Sequence, residues 1–257
     1  MKVIIFAGGL GTRLGTITDS MPKPMVQIGD KPILWHIMKI YSYYGFNEFI
    51  LSLGYKGEII KNYFYNYDMY NNDFSIDFSK KNVEYFHKNN EQNWKVTLVD
   101  TGLNTLKGAR IKRLEQYLDS EINMVTYGDG VANIDLLKLL DFHKNHGKTL
   151  TITGVYPPAR FGEVIEKDNK VVQFQEKSQV SIGLINGGFM VFNKNLLEYL
   201  SVDENCDLEI GALDELTKKG EVMLYKHDGL WECVDSSRDL IHLNKLWNEK
   251  KAFWKVW

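Results

Sequence analysis

Val3-Ile4-Ile5-Phe6-Ala7-Gly8-Gly9-Leu10-Gly11-Thr12-Arg13 is an unbroken apolar run that ends at once in glycines. Such a run, with no polar alternation, reads as a parallel strand buried on both faces. The glycines read as a tight loop at its carboxyl end, where open α/β sheets commonly bind ligands. Beyond the loop, Pro32 stands where a helix can start, and Ile33, Ile37, Ile40 and Tyr41 recur at helical spacing up to a stop at Gly45. Residues 48–53 then read as a second strand, 59–67 as a second helix, and 95–99 and 123–127 as further strands. Residues 134–143 read as another helix, followed by an apolar run over 150–156.

From Glu163 onward the pieces shorten and alternate, as at 171–174 and 189–192, which favours antiparallel pairing. A strand over 222–225 and a helix over 236–247 follow, then the aromatic residues Phe253, Trp254 and Trp257. The expected fold is α/β and Rossmann-like: a mostly parallel central sheet flanked by helices, with a smaller antiparallel portion in the C-terminal half. No repeat, low-complexity tract or linker divides the sequence, so one domain over residues 1–257 is expected. The polar aromatic stretch from Tyr63 to Asp73 has no clear period and reads either as an excursion or as a subunit contact. Trp254 and Trp257 likewise fit packing on their own subunit or on a neighbour.

A chain of 257 residues, 44% hydrophobic, can bury a sizeable core. Its 31 basic and 33 acidic residues leave a net charge of -2, which argues against nucleic acid or an anionic membrane as partner. An anionic ligand must therefore be met locally. The apolar run after Val3 is shorter than a signal-peptide core, and no apolar stretch approaches the ~20 residues that span a bilayer. Cys206 and Cys233 lack metal-ligand spacing and read as two reduced thiols. A cytoplasmic location is expected.

The segment Gly8-Gly9-Leu10-Gly11-Thr12-Arg13 lets backbone N–H groups approach a phosphate chain, with Arg13 as a forked cation. It is not the dinucleotide fingerprint, because Leu14 stands where the last glycine would fall, and it lacks the Walker ending. Alone, it is also compatible with a plain tight turn. Met21-Pro22-Lys23-Pro24-Met25 adds a lysine clamped between prolines, a fixed cation able to neutralise charge in phosphoryl transfer. Tyr127-Gly128-Asp129-Gly130 places a carboxylate beyond a strand end, although a lone Gly-Asp-Gly also fits an Asx turn. Asp235 closes residues 230–235 and reaches the same crevice if that strand lies nearby. His143 and His146 read as solvated groups near a helix C-terminus and are left out of the site.

The run from Ala7 to Leu14, followed by Pro22-Lys23-Pro24-Met25 and Lys31-Pro32-Ile33-Leu34-Trp35-His36, resembles the signature of sugar-1-phosphate nucleotidyltransferases. Within that family the chain is most similar to cytidylyltransferases, through Leu53-Gly54-Tyr55-Lys56-Gly57, residues 97–102, Ile185-Asn186-Gly187-Gly188-Phe189 and the Trp-rich tail. The resemblance covers nearly the whole chain. It implies CTP and a sugar 1-phosphate, glucose 1-phosphate foremost, as substrates, Mg²⁺ held by Asp129 and Asp235, and a homo-oligomer. Arg13 and Lys23 take the catalytic role. Gly8, Gly9, Leu10, Gly11, Thr12, Thr101, Gly108, Arg110 and Asp129 are then expected at the nucleotide, with Arg110 the side-chain ligand near base and ribose. Glu176, Lys177, Asn186 and Gly187 are expected at the sugar phosphate. The chain departs from the family pattern after Glu209, where Gly211 and Ala212 stand in place of a second acidic residue and a proline. The alternatives are a nucleotidyltransferase using another sugar 1-phosphate or UTP or dTTP, a nucleotide-sugar-dependent glycosyltransferase, and a nucleotide-sensing relative without chemistry.

Overall fold

A computed structural model describes residues 1–86, 93–158, 163–175 and 183–257. Its centre is a seven-stranded sheet, in the spatial order Val222–His227, Leu150–Val155, Ile185–Asn193, Ile122–Tyr127, Val3–Ala7, Glu48–Leu53 and Lys95–Asp100. All neighbours pair in parallel except Ile185–Asn193, which runs antiparallel to both of its partners. The expected mostly parallel α/β architecture is the one observed.

The first strand is buried along its whole length, and its side chains divide by parity, as a period of two requires. Val3, Ile5 and Ala7 enter one hydrophobic cluster with the helix Ile33–Tyr43, whereas Ile4 and Phe6 enter another with the helix Lys107–Arg113. Helices therefore cover both faces of the sheet. Because Val3–Ala7 lies between Glu48–Leu53 and Ile122–Tyr127, the chain turns to opposite sides of the first strand on successive passes. Such a switch point opens a crevice beyond the carboxyl ends of the strands.

Smaller antiparallel pairs decorate this frame: Glu163–Lys167 with Lys170–Gln175, Asp73–Asp77 with Asn82–Phe86, and Gly130–Ala132 with Trp231–Cys233. The predicted helix over 59–67 is two, Gly57–Tyr65 and Tyr67–Asn71, because Asn66 leaves helical geometry between them. The aromatic stretch there packs in part on its own chain, with Tyr63 stacked on Tyr70 and Trp35 Nε1 donating to the Tyr67 hydroxyl at 3.0 Å, and leaves Tyr65 exposed. Trp254 is fully buried, and its indole N–H donates to His36 Nδ1 at 3.3 Å.

The reading of His143 and His146 as solvated groups needs correction. His143 is fully buried, and both rings hydrogen-bond the Thr151 hydroxyl, at 2.8 and 2.7 Å. The helix Leu136–His146 turns them toward the neighbouring strand, where the threonine competes successfully with water.

Candidate active site

A cavity of about 750 Å³ opens at the switch point, bounded on one side by residues 8–13 and on the other by residues 103–107. The loop's sharp exit from the strand demands glycine. A Cβ on Gly8 would collide with the Arg110 guanidinium and come within 2.8 Å of the Gly54 nitrogen, while Gly11 adopts a positive φ of 65°. Gly8 O accepts from Tyr55 N at 3.1 Å, which ties the loop to the segment beyond the adjacent strand. Thr18 Oγ1 donates to Gly11 O at 3.2 Å and fixes the loop's far end.

Lys23 begins a short 3-10 turn whose first closing bond runs from Met25 N to Pro22 O at 2.8 Å. Its ammonium projects to the cavity floor and donates to Asp129 Oδ2 at 2.6 Å and Asp235 Oδ1 at 2.7 Å. Asp129 follows the central strand Ile122–Tyr127. Asp235 arrives beside it because Trp231–Cys233 pairs antiparallel with Gly130–Ala132, and Val234 N donates to Asp129 O at 2.9 Å. That pairing supplies the proximity sequence alone left open. Arg13, largely exposed, reaches Asp235 Oδ2 at 3.3 Å from the rim.

Burial pulls the Lys23 pKa down, but the charges of and hydrogen bonds to Asp129 and Asp235 outweigh it, so the net shift is upward. For Asp235, burial pushes upward and is outweighed by Lys23 and Arg13, leaving its carboxyl below the usual value. Lys23 and Asp235 therefore stabilise each other's charged form. The neighbouring Cys233 thiol is pushed up to about 12 by burial and by the charges of Asp235 and Asp129, so it is neither a thiolate nor a nucleophile.

Two carboxylate oxygens within 2.7 Å of one ammonium form a hard-oxygen cluster converging on a single point. No group of three or more His, Cys, Asp or Glu suited to a metal occurs among the described residues. Nearby Asp239 is committed elsewhere, accepting from Asp235 N and Ser236 N at the start of the helix Ser237–Asn248. Two carboxylates suffice for an ion such as Mg²⁺, which commonly completes its shell with phosphate oxygens and water. The residues fit a divalent cation.

Of the residues expected at the site, Gly8, Gly9, Leu10, Gly11, Thr12, Arg13, Lys23, Arg110, Asp129, Asn186 and Asp235 line the cavity together. Arg110, Thr101 and Gly108 also act as supports. Arg110 is buried, and its guanidinium donates to Leu53 O, Thr101 Oγ1, Gly8 O and Leu103 O at 2.7–3.2 Å. These bonds brace the loops and hold the guanidinium at the cavity lining, where it was expected. Thr101 is buried behind it, donating to Leu53 O at 2.7 Å, and Gly108 faces Cys206, whose carbonyl would lie 2.8 Å from an added Cβ. Gly187 is likewise a packing position: its carbonyl accepts from Trp231 Nε1 at 2.8 Å, and a Cβ there would meet Val155. Glu176 and Lys177 lie outside the described residues.

Sequence reasoning missed Tyr127 and Lys107, both of which line the cavity. Tyr127 had a usable signal, since it ends the strand just before Gly128-Asp129; Lys107 had none.

Residues 2–250 match the family model described as nucleotidyl transferase. The chain is 46% identical over 258 residues to a glucose-1-phosphate cytidylyltransferase of Salmonella typhimurium, covering all of both chains. It is 44% identical over 257 residues to a probable glucose-1-phosphate cytidylyltransferase of Bacillus subtilis, again over all of both. Among solved structures, a UDP-glucose pyrophosphorylase complexed with UDP-glucose superposes with a TM-score of 0.68, covering 97% of this chain and 98% of that one at 16% identity, a likeness of fold.

Proposed function

The chain belongs to the nucleotidyl transferase family, and from that premise we propose that it is a sugar-1-phosphate nucleotidyltransferase that makes CDP-glucose and pyrophosphate from CTP and glucose 1-phosphate. Full-length identity of 44–46% to glucose-1-phosphate cytidylyltransferases supports the choice of both substrates. The observation that carries the chemistry is the Lys23 ammonium held between Asp129 and Asp235 beside the glycine loop.

An oxygen of the sugar phosphate forms a bond to the α-phosphorus of CTP as the bond to the β-phosphate breaks, and pyrophosphate leaves with that electron pair. The nucleophile is already ionised, so little general-base work is required. What the reaction needs is alignment and neutralisation of charge spread over phosphoryl oxygens. Backbone N–H groups of residues 8–12 are suited to cradle the triphosphate, and Lys23 and the exposed Arg13 to neutralise it. Asp129 and Asp235 would hold Mg²⁺, which supplies further charge neutralisation at the phosphates. Asn186 offers its amide to the sugar end. Glu176 and Lys177 keep their assignment to sugar hydroxyls and phosphate by resemblance. The proposal carries with it a homo-oligomeric assembly, checked by sedimentation velocity, and a cytoplasmic location. A glycosyltransferase is not favoured, since the carboxylates stand beside a loop built for a triphosphate.

The test crosses four nucleoside triphosphates with several sugar 1-phosphates under Mg²⁺ and reads pyrophosphate release. CTP with glucose 1-phosphate should give the highest kcat/KM. Release with another pair would reassign the substrates, and no release with any pair would overturn the transferase reading.

A further inference from the structure

Opposite the charged floor, a chain of hydrogen bonds crosses from the cavity wall into the protein. Asn186 Nδ2 donates to the Tyr127 hydroxyl at 3.2 Å, and the Tyr127 hydroxyl donates to Glu209 Oε1 at 2.7 Å. Lys107 pairs with the same Glu209 oxygen and lies 5.1 Å above the Tyr127 ring. Asn186, Tyr127 and Lys107 line the cavity, whereas Glu209 stands behind them. Room for the tyrosine is made by Gly188, whose φ is 85° and whose added Cβ would strike the Tyr127 ring.

The direction of these bonds is set from the carboxylate. An ionised carboxylate only accepts, so Tyr127 must donate to it and can then only accept from Asn186. Asn186 is thereby fixed with its amide toward Tyr127 and its Oδ1 accepting from Gly188 N at 3.0 Å. The second amide hydrogen is directed at Met190 Sδ, 3.9 Å away, so a carbonyl lone pair is what Asn186 keeps for a ligand.

Glu209 is poorly explained as a stabiliser. Its Oε2 is buried without a hydrogen-bond partner among the described residues, a costly arrangement for a carboxylate. It is presented by a π-helical turn, Leu208–Leu213, whose start is capped by Asp207 accepting from Glu209 N at 2.7 Å and Ile210 N at 2.9 Å. Expanded turns of this kind occur frequently at functional sites.

We propose that Glu209 is a positioning residue for the sugar 1-phosphate, orienting the Asn186 amide through Tyr127 and seating Lys107 on the facing wall. The inference rests on the transferase reading above. Its experiment compares Glu209→Gln, Tyr127→Phe and the double variant with wild type, varying CTP and glucose 1-phosphate separately. Glutamine keeps the shape of Glu209 but can donate as well as accept, so the direction of the chain is no longer imposed.

KM for glucose 1-phosphate should rise about tenfold in each single variant, the worth of one well-placed hydrogen bond, with KM for CTP within about twofold of wild type. The double variant should be no worse than either single one, as expected for groups acting through one another. Rescue of Glu209→Ala by nothing but glutamate, with unchanged circular dichroism, would support the same conclusion. Multiplying effects, equal rises in both KM values, or an unmoved KM in Glu209→Gln would overturn it. A wild type without turnover overturns the transferase reading as well; an active wild type with unmoved KM overturns this inference alone.

Discussion

Among the described residues, one cavity of about 750 Å³ beside the glycine loop can be set against another of about 700 Å³ beside the helix Gly57–Tyr65. The second is walled by Phe64, Tyr67, Trp94, Val96 and Leu98, with Lys61 and Asp68 also at its lining. It has size and apolar surface but no convergence of fixed charge. The first collects Lys23, Asp129, Asp235 and Arg13 at distances of 2.6–3.3 Å, at the carboxyl ends of adjacent parallel strands. Concavity alone does not distinguish them. Charges held in place before any ligand arrives do, because phosphoryl transfer draws on electrostatics that need not reorganise.

The strongest way to break this contrast is Lys23→Ala. Turnover should fall about 10²–10³-fold, the usual cost of a preorganised charge-stabilising group, with an unchanged circular-dichroism spectrum. Activity within tenfold of wild type would remove the charged floor from the mechanism. Next in size, Asp129→Asn and Asp235→Asn should each weaken Mn²⁺ binding by at least about tenfold in calorimetric titration. If neither changes, the two carboxylates are not the cation ligands.

A smaller effect separates the cavities by acid. Asp235 has its pKa lowered in the fold from 3.8, so its stabilising contribution is complete above that value and is lost as pH falls through the folded value. In metal-free buffer the thermal midpoint of wild type should therefore fall further than that of Asp235→Asn as the pH is lowered from about 4 toward 2. Equal drops would show that Asp235 gains nothing from Lys23. The smallest effect belongs to the second cavity: Tyr65→Ala, at a side chain 90% exposed, should alter kcat/KM by less than about twofold. A tenfold loss there would mean that the aromatic side takes part in the reaction.

The first strand was legible because its residues are buried on both faces and so form an unbroken apolar run, Val3–Ala7. The loop and Lys23 were legible because glycine spacing and flanking prolines are local signals. Asp235 could be nominated but not placed: its position beside Asp129 depends on a strand pairing across about a hundred residues of sequence. Thr101, Gly108 and Arg110 show a different limit. Resemblance brought them to the right end of the sheet, but the direction of the Arg110 side chain is set by four oxygen acceptors scattered from Gly8 to Leu103. Glu209 and Lys107 come from separate segments, and nothing short-range in the sequence joins them to Tyr127.

The bond between Trp254 and His36 joins residues 218 positions apart. Translation at about 5–20 residues per second thus makes the helix Ile33–Tyr43 roughly 11–44 s before the indole that covers its histidine. Throughout that interval a nascent chain carries the helix with part of its apolar flank bare, while the parallel strands beside it are still being delivered one by one. The clasp that seals the finished protein is therefore also a schedule: it makes the first half of the molecule wait on the last, and leaves the growing chain most exposed to aggregation or chaperone capture before residue 254 has been added.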